Sequence, residues 1–201
     1  MAYKMEIRKY KGYTVEIWQD EDAENPREWD NLVKMICFHS RYDLGDQHYS
    51  SPEDFQEFVR REKPVVVLPL YLYDHSVLSI STESFMGRAQ HAEWDSGQVG
   101  WAYISKEDAL REYRVKRISK KIRAELRALL ESEVKTYDQF LLGDVYGYNI
   151  EDAEGKLIES CGGYFGDPDG YLMDEVRRII DNRTKYIKPY NGPEVYEDMG
   201  W

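Results

Sequence analysis

The chain has 201 residues and a net charge of −11, an acidity that repels nucleic acid and anionic membranes wherever no basic patch overrides it. Its length favours one domain and is enough to bury a core without a metal or disulfide staple. No apolar run approaches the roughly 20 residues needed to span a bilayer, and the charged opening Met1 to Tyr10 does not read as a signal peptide.

In chain order, Met5-Glu-Ile-Arg8 and Gly12-Tyr-Thr-Val-Glu-Ile-Trp18 alternate apolar with polar residues, the period of half-solvated strands, with a turn at Lys11-Gly12. Residues 20–30 form an acidic loop, and 32–38 read as a strand, with a short buried helix as the alternative. Ser51-Pro52-Glu53-Asp54 opens a helix that presents Phe55, Phe58 and Val59 on one face and ends at Lys63-Pro64. Residues 65–73 are almost wholly apolar, which predicts a central strand buried on both faces, with Pro69 at a bulge or an unpaired position. Residues 77–81 pair back after a turn at Asp74-His75-Ser76. Residues 84–96 are irregular and 99–104 alternate as a further strand. Ser105 then caps a helix that carries Glu107 and Asp108 in its first turn.

Ile118, Ile122, Leu126, Leu129 or Leu130, Val134, Tyr137 and Leu141 recur at three- and four-residue steps, predicting one long helix over 119–142 closed by Gly143. Residues 145–150 and 157–161 flank Asp152-Ala-Glu-Gly155 as a β-hairpin, and Asp167-Pro-Asp-Gly170 opens a last helix from Met173 to about Arg183. The expected architecture is α+β: a mainly antiparallel sheet packed on one long and one or two shorter helices. It forms a single domain over 1–185, with an extended, aromatic and Pro-containing tail over 186–201. Cys37 and Cys161 sit in apolar strand-like runs and read as buried free thiols of a reducing, cytoplasmic compartment.

Charge is unevenly placed. Residues 20–62 hold 12 acidic and 5 basic side chains, a net −7; residues 138–181 hold 11 and 3, a net −8. Residues 106–135 hold 10 basic and 6 acidic, a net +4. The basic stretch 111–123 is either a phosphate-binding face or the solvated approach to the long helix.

Three loops carry the residue types of a site. The first, 38–48, places His39, Arg41, Asp43, Asp46 and His48 directly after a strand, where histidine and carboxylate together suit acid–base work or a metal. Its bland alternative is a turn made by Asp and Gly and held by ion pairs, and no His-Glu-x-x-His spacing is present. The second is Asp74-His75-Ser76, whose adjacent side chains diverge and which reads better as a tight turn than as a triad. The third is Trp94-Asp95-Ser96-Gly97-Gln98-Val99-Gly100. There Asp95 either caps its own turn or stands at a pocket rim, and Gly97 is a candidate for a positive φ. If these loops meet, His39, Asp43, His48, Asp74, His75 and Asp95 form the candidate catalytic cluster. No cofactor and no specific metal are indicated.

The segments at Asp30-Asn-Leu32, 39–48, Trp94 to Gly100, 133–139 and Gly143-Asp-Val-Tyr-Gly-Tyr148 resemble a family of uncharacterised accessory proteins of bacteriophages and other mobile elements, with Trp94 to Gly100 the most specific part. The resemblance spans residues 13–166, with Val77 and Gly162 standing where Gly and Trp are more usual. It brings no catalytic residues with it. It implies an anti-defence role in the host-cell cytoplasm, of the anti-CRISPR or anti-restriction kind. Such a protein would bind a host defence protein or ribonucleoprotein complex, at its nucleic-acid-binding surface, without contacting nucleic acid or membrane directly. Asp152, Glu154, Asp167 and Asp169, in or beside turns, are the expected partner-binding acids. The alternatives are a metal-assisted hydrolase or nucleotide-acting enzyme built on the His/Asp loops, and a homo-oligomeric interaction module using the Tyr-rich surface and Trp201. Loops converging on one pocket would favour the enzyme. Scattered loops beside a continuous acidic face would favour the inhibitor.

Overall fold

The computed structural model describes residues 3–46 and 49–186. The chain is α+β, but its strands build two four-stranded antiparallel sheets rather than one. The first comprises β1 (Tyr3–Tyr10), β2 (Tyr13–Gln19), β7 (Val145–Glu151) and β8 (Leu157–Phe165), in the order β1-β2-β7-β8. The second comprises β3 (Lys34–Cys37), β4 (Val66–Asp74), β5 (Leu78–Ser81) and β6 (Ser96–Ile104), in the order β3-β6-β4-β5. Periodicity predicts each strand but not its partner, which is why the number of sheets is not legible: β2 pairs with β7 from Thr14↔Glu151 to Gln19↔Tyr146, across the whole middle of the chain.

The helices α1 (Pro52–Glu62), α2 (Ala92–Asp95), α3 (Lys106–Glu112), α4 (Lys120–Leu142) and α5 (Tyr171–Tyr186) cover these sheets. Helix α4 forms as its spacing predicts. Ser119 Oγ accepts from Ile122 N at 3.2 Å to cap its start, and Gly143, at φ 75°, ends it in the left-handed conformation that glycine adopts without strain. Leu126, Leu130, Val134 and Tyr137 point into the second sheet against Leu68, Leu70, Leu72, Ile80, Ala102 and Ile104. Neighbouring strand residues face the other way. Ile36 and Tyr103 thus meet Phe55 of α1, with Phe58, Val67 and Trp101 around them.

The inner position of β4 agrees with its apolar sequence, but the strand is not buried on both faces as expected: Val67, Pro69, Tyr71 and Tyr73 on the α1 side are only half-buried. Its register shifts between Leu70 and Tyr71, beside Pro69, where a ladder donor is missing. In the first sheet Val15, Ile17, Tyr148 and Ile150 pack on Leu172, Met173, Val176 and Ile180 of α5.

Four expectations need correction. Cys161 is exposed, because β8 is an edge strand with an open face, while Cys37 is largely covered and burial pushes its thiol up to about 12. Gly97 has no positive φ and lies within β6. Residues 84–96 are not wholly irregular, since α2 occupies 92–95. Strand β8 continues past Cys161 to Phe165. The expected tail beyond Tyr186, with Trp201, lies outside the described residues, as does His48. Among the described residues no helix is long and apolar enough to cross a membrane.

Between the sheets the chain makes a short 3-10 turn at Pro26–Glu28, and here Arg27 is buried. Its guanidinium donates to Val33 O at 2.7 Å, pairs with Glu133 of α4 at 3.2 Å and pairs with Asp46. Asp46 also accepts from Met35 N at 2.8 Å. The acid expected at the first loop's site is therefore turned inward, where it holds the loop to β3.

Candidate functional site

Three strand ends of the second sheet place the three polar loops side by side. Phe38, His39 and Arg41 after β3, Asp74 at the end of β4, and Trp94 to Val99 of α2 and β6 line one open cavity of about 280 Å³. His75, in the turn after β4, joins it through Asp95: Nδ1 lies 2.8 Å from Asp95 Oδ2. A carboxylate only accepts, so Nδ1 is the protonated nitrogen, and Nε2 is left as the basic one. Of the two readings of Asp95, turn cap or pocket rim, the structure has the second.

The other members are engaged differently. His39 Nδ1 accepts from Arg41 N and Tyr42 N, both at 3.2 Å, which closes the loop. Its ring stacks on Tyr42 at 5.0 Å. Asp74 pairs with Arg41 and accepts from Tyr42 Oη at 3.4 Å. Asp43 is exposed and does not line the cavity. Of the six candidates, then, His39, Asp74, His75 and Asp95 come together, Asp43 does not, and His48 is outside the described residues.

Sequence reasoning missed two features here. Trp94 is 83% exposed at the cavity wall, the most exposed of the large hydrophobic side chains described. His91 stands 6.0 Å from His75, ring to ring, and itself adopts φ 56°. A tryptophan beside Asp95 and Ser96, in a stretch with little apolar periodicity to bury it, was the available signal. Among the described residues no group of three His, Cys, Asp or Glu side chains is placed to hold a metal ion.

The acids expected to face a partner fall in two pairs, one at each end of β8. Asp152 accepts from Glu154 N at 3.1 Å and Lys156 N at 2.9 Å, and so builds the β7–β8 turn beside exposed Glu154. Asp167 accepts from Asp169 N at 2.9 Å ahead of α5, and Asp169 pairs with Arg8. The two pairs sit at opposite ends of β8, roughly 30 Å apart at about 3.3 Å per residue.

No protein-family model, curated protein or solved structure matches this chain. The fold and site define its class: a two-sheet α+β protein with a polar, aromatic-rimmed pocket at the loop end of its second sheet.

Proposed function

We propose that the protein is a binding protein that inhibits a host defence complex, and that its anchor is the loop-end pocket rather than the acidic turns. The observation behind this reading is Trp94, 83% exposed beside Asp95. An aromatic face beside a carboxylate is the chemistry that receives an arginine or lysine side chain, by cation–π contact and ion pairing together. Nucleic-acid-binding surfaces are rich in those side chains, and a chain of net charge −11 would be steered toward them. Trp, Tyr and Arg also dominate binding hot spots.

A second reading is acid–base catalysis at the same place. It is favoured by the convergence of the loops and by the His75–Asp95 pair, whose Nε2 is left basic and available to take a proton from water or a hydroxyl. Binding is preferred because His39, Asp74 and Arg41 are spent on one another and on the loop backbone.

The test immobilises wild type, Trp94→Ala, and a form with Asp152, Glu154, Asp167 and Asp169 changed to Asn or Gln. Each is exposed to a purified nucleic-acid-binding defence complex at two salt concentrations. Binding to the first and third that competes with nucleic acid and weakens with salt is expected, with Trp94→Ala about 30-fold weaker. Equal binding by Trp94→Ala would remove the proposal. Turnover of a substrate abolished by His75→Ala would put catalysis in its place.

A further inference from the structure

At the opposite end of β4 from the pocket lies a cleft of contrary charge. The start of that strand, the segment 116–118 and the first turns of α4 enclose about 410 Å³. Lys63, Lys106, Lys116, Arg117 and Arg123 line it, with Val65 and Ile118 as its apolar wall. Its one acid, Glu62, is engaged by Arg61 Nε at 2.7 Å. A neighbouring hollow of about 420 Å³ shares Val65 and Arg123 and adds Lys120 and Arg127, the last paired with Glu131 at 3.0 Å. Glu107 lines an adjoining hollow that shares Lys106 and Glu62 with this one.

Among the described residues Lys63, Lys106, Lys116 and Arg117 form no ion pair, and neither do Lys135 and Lys156 elsewhere on the surface; what distinguishes the first four is that they line one hollow. Arg123 is held across the cleft by donating to Val65 O, which uses one of its five N–H groups. The first turn of α4 carries no acid and begins Lys120-Lys121, an arrangement the helix dipole disfavours and a bound anion would compensate. Lys63 and Arg114, near the cleft in sequence, hold left-handed φ angles of 49° and 51°, positions where glycine would cost less.

We propose that this cleft binds the polyphosphate group of a small molecule. Several cations about one hollow match a chain of linked phosphates better than a single carboxylate. The volume lies within the range of small-ligand sites. Neither hollow is lined by an aromatic ring, which single-stranded nucleic acid would use for base stacking. The site is remote from the loop-end pocket and does not depend on the function proposed for it.

Isothermal titration with inorganic tripolyphosphate, orthophosphate and a short single-stranded oligonucleotide tests this at two ionic strengths. Lys116→Ala/Arg117→Ala alters two exposed side chains outside any helix or strand, so circular dichroism should stay that of wild type. The expected result is salt-sensitive binding of tripolyphosphate, tighter than orthophosphate, with the double variant about tenfold weaker or more. Lys135→Ala, exposed elsewhere on α4, should bind as wild type does. No tripolyphosphate binding at millimolar concentration, equal binding by the double variant, or binding of the oligonucleotide alone would each overturn the proposal.

Discussion

Two glycines of the Trp94–Gly100 segment should respond to alanine in opposite ways. A Cβ built on Gly100 would stand 1.7 Å from Ile36 O and 2.8 Å from Ile36 C, against ordinary contact at 3.4 Å and beyond. The obstacle is backbone, so β3 must retreat by roughly 1.5 Å, far beyond what packed interiors absorb without loss. That movement breaks the pairing at Cys37↔Gly100 and Ile36↔Trp101, and strains Phe38 N–H donating to Val99 O at 2.7 Å. Two or three backbone bonds at about 1 kcal/mol each amount to ~2–3 kcal/mol. For a chain of this size that lowers Tm by about 4–12 °C. Gly97 has open space around its Cβ position and an unexceptional φ, so Gly97→Ala should leave Tm within about 2 °C. Differential scanning calorimetry of the three proteins decides it. A Gly100→Ala variant that melts with wild type would show that β3 is not held to β6 as described.

Leu126→Asp should leave the chain unfolded by circular dichroism, because the site is fully buried and an unpaired carboxylate there adds to a lost leucine, about 5 kcal/mol or more in all. A thiol reagent should modify Cys161 at once and Cys37 only after denaturant is added, since burial raises the Cys37 thiol to about 12; two equally fast thiols would contradict that burial. Burial also raises the carboxyl of Asp138, which accepts from Ser79 Oγ and Ile80 N at 2.7 Å. Its contribution is complete below the ordinary carboxylate range and is lost as pH rises through the raised folded value, so Asp138→Asn should flatten that part of the Tm–pH curve. Parallel curves for the two proteins would refute this.

What could be read from the residues was whatever local chemistry dictates. The three- and four-residue steps from Ile122 to Tyr137 specify α4, and Asp152 to Gly155 specify the β7–β8 turn, because neighbours in sequence are there neighbours in space. The division into two sheets was not readable, since Thr14 meets Glu151 only in three dimensions. The site divides the same way. Loops that follow strands could be nominated, but only the order β3-β6-β4 brings His39, Asp74 and Asp95 to one cavity. Arg27 went unnoticed because a lone arginine in an acidic loop looks solvated; its burial depends on Glu133, more than a hundred residues away.

The strand order also dictates a sequence of assembly. The second sheet and α4 draw only on residues 34–142, whereas β2 waits for β7. Closing a flexible loop of that span costs about 4 kcal/mol in chain entropy. A middle that is already folded lowers this cost by delivering the two ends together, as Asp20 N–H donating to Val145 O at 2.8 Å marks in the finished fold. During synthesis, then, β1 and β2 emerge first and stand with one edge unpaired until Val145–Glu151 leaves the ribosome. An open edge recruits strands from other chains. A slow stretch of translation ahead of β7 should therefore reduce the yield of native protein more than the same delay placed after β8.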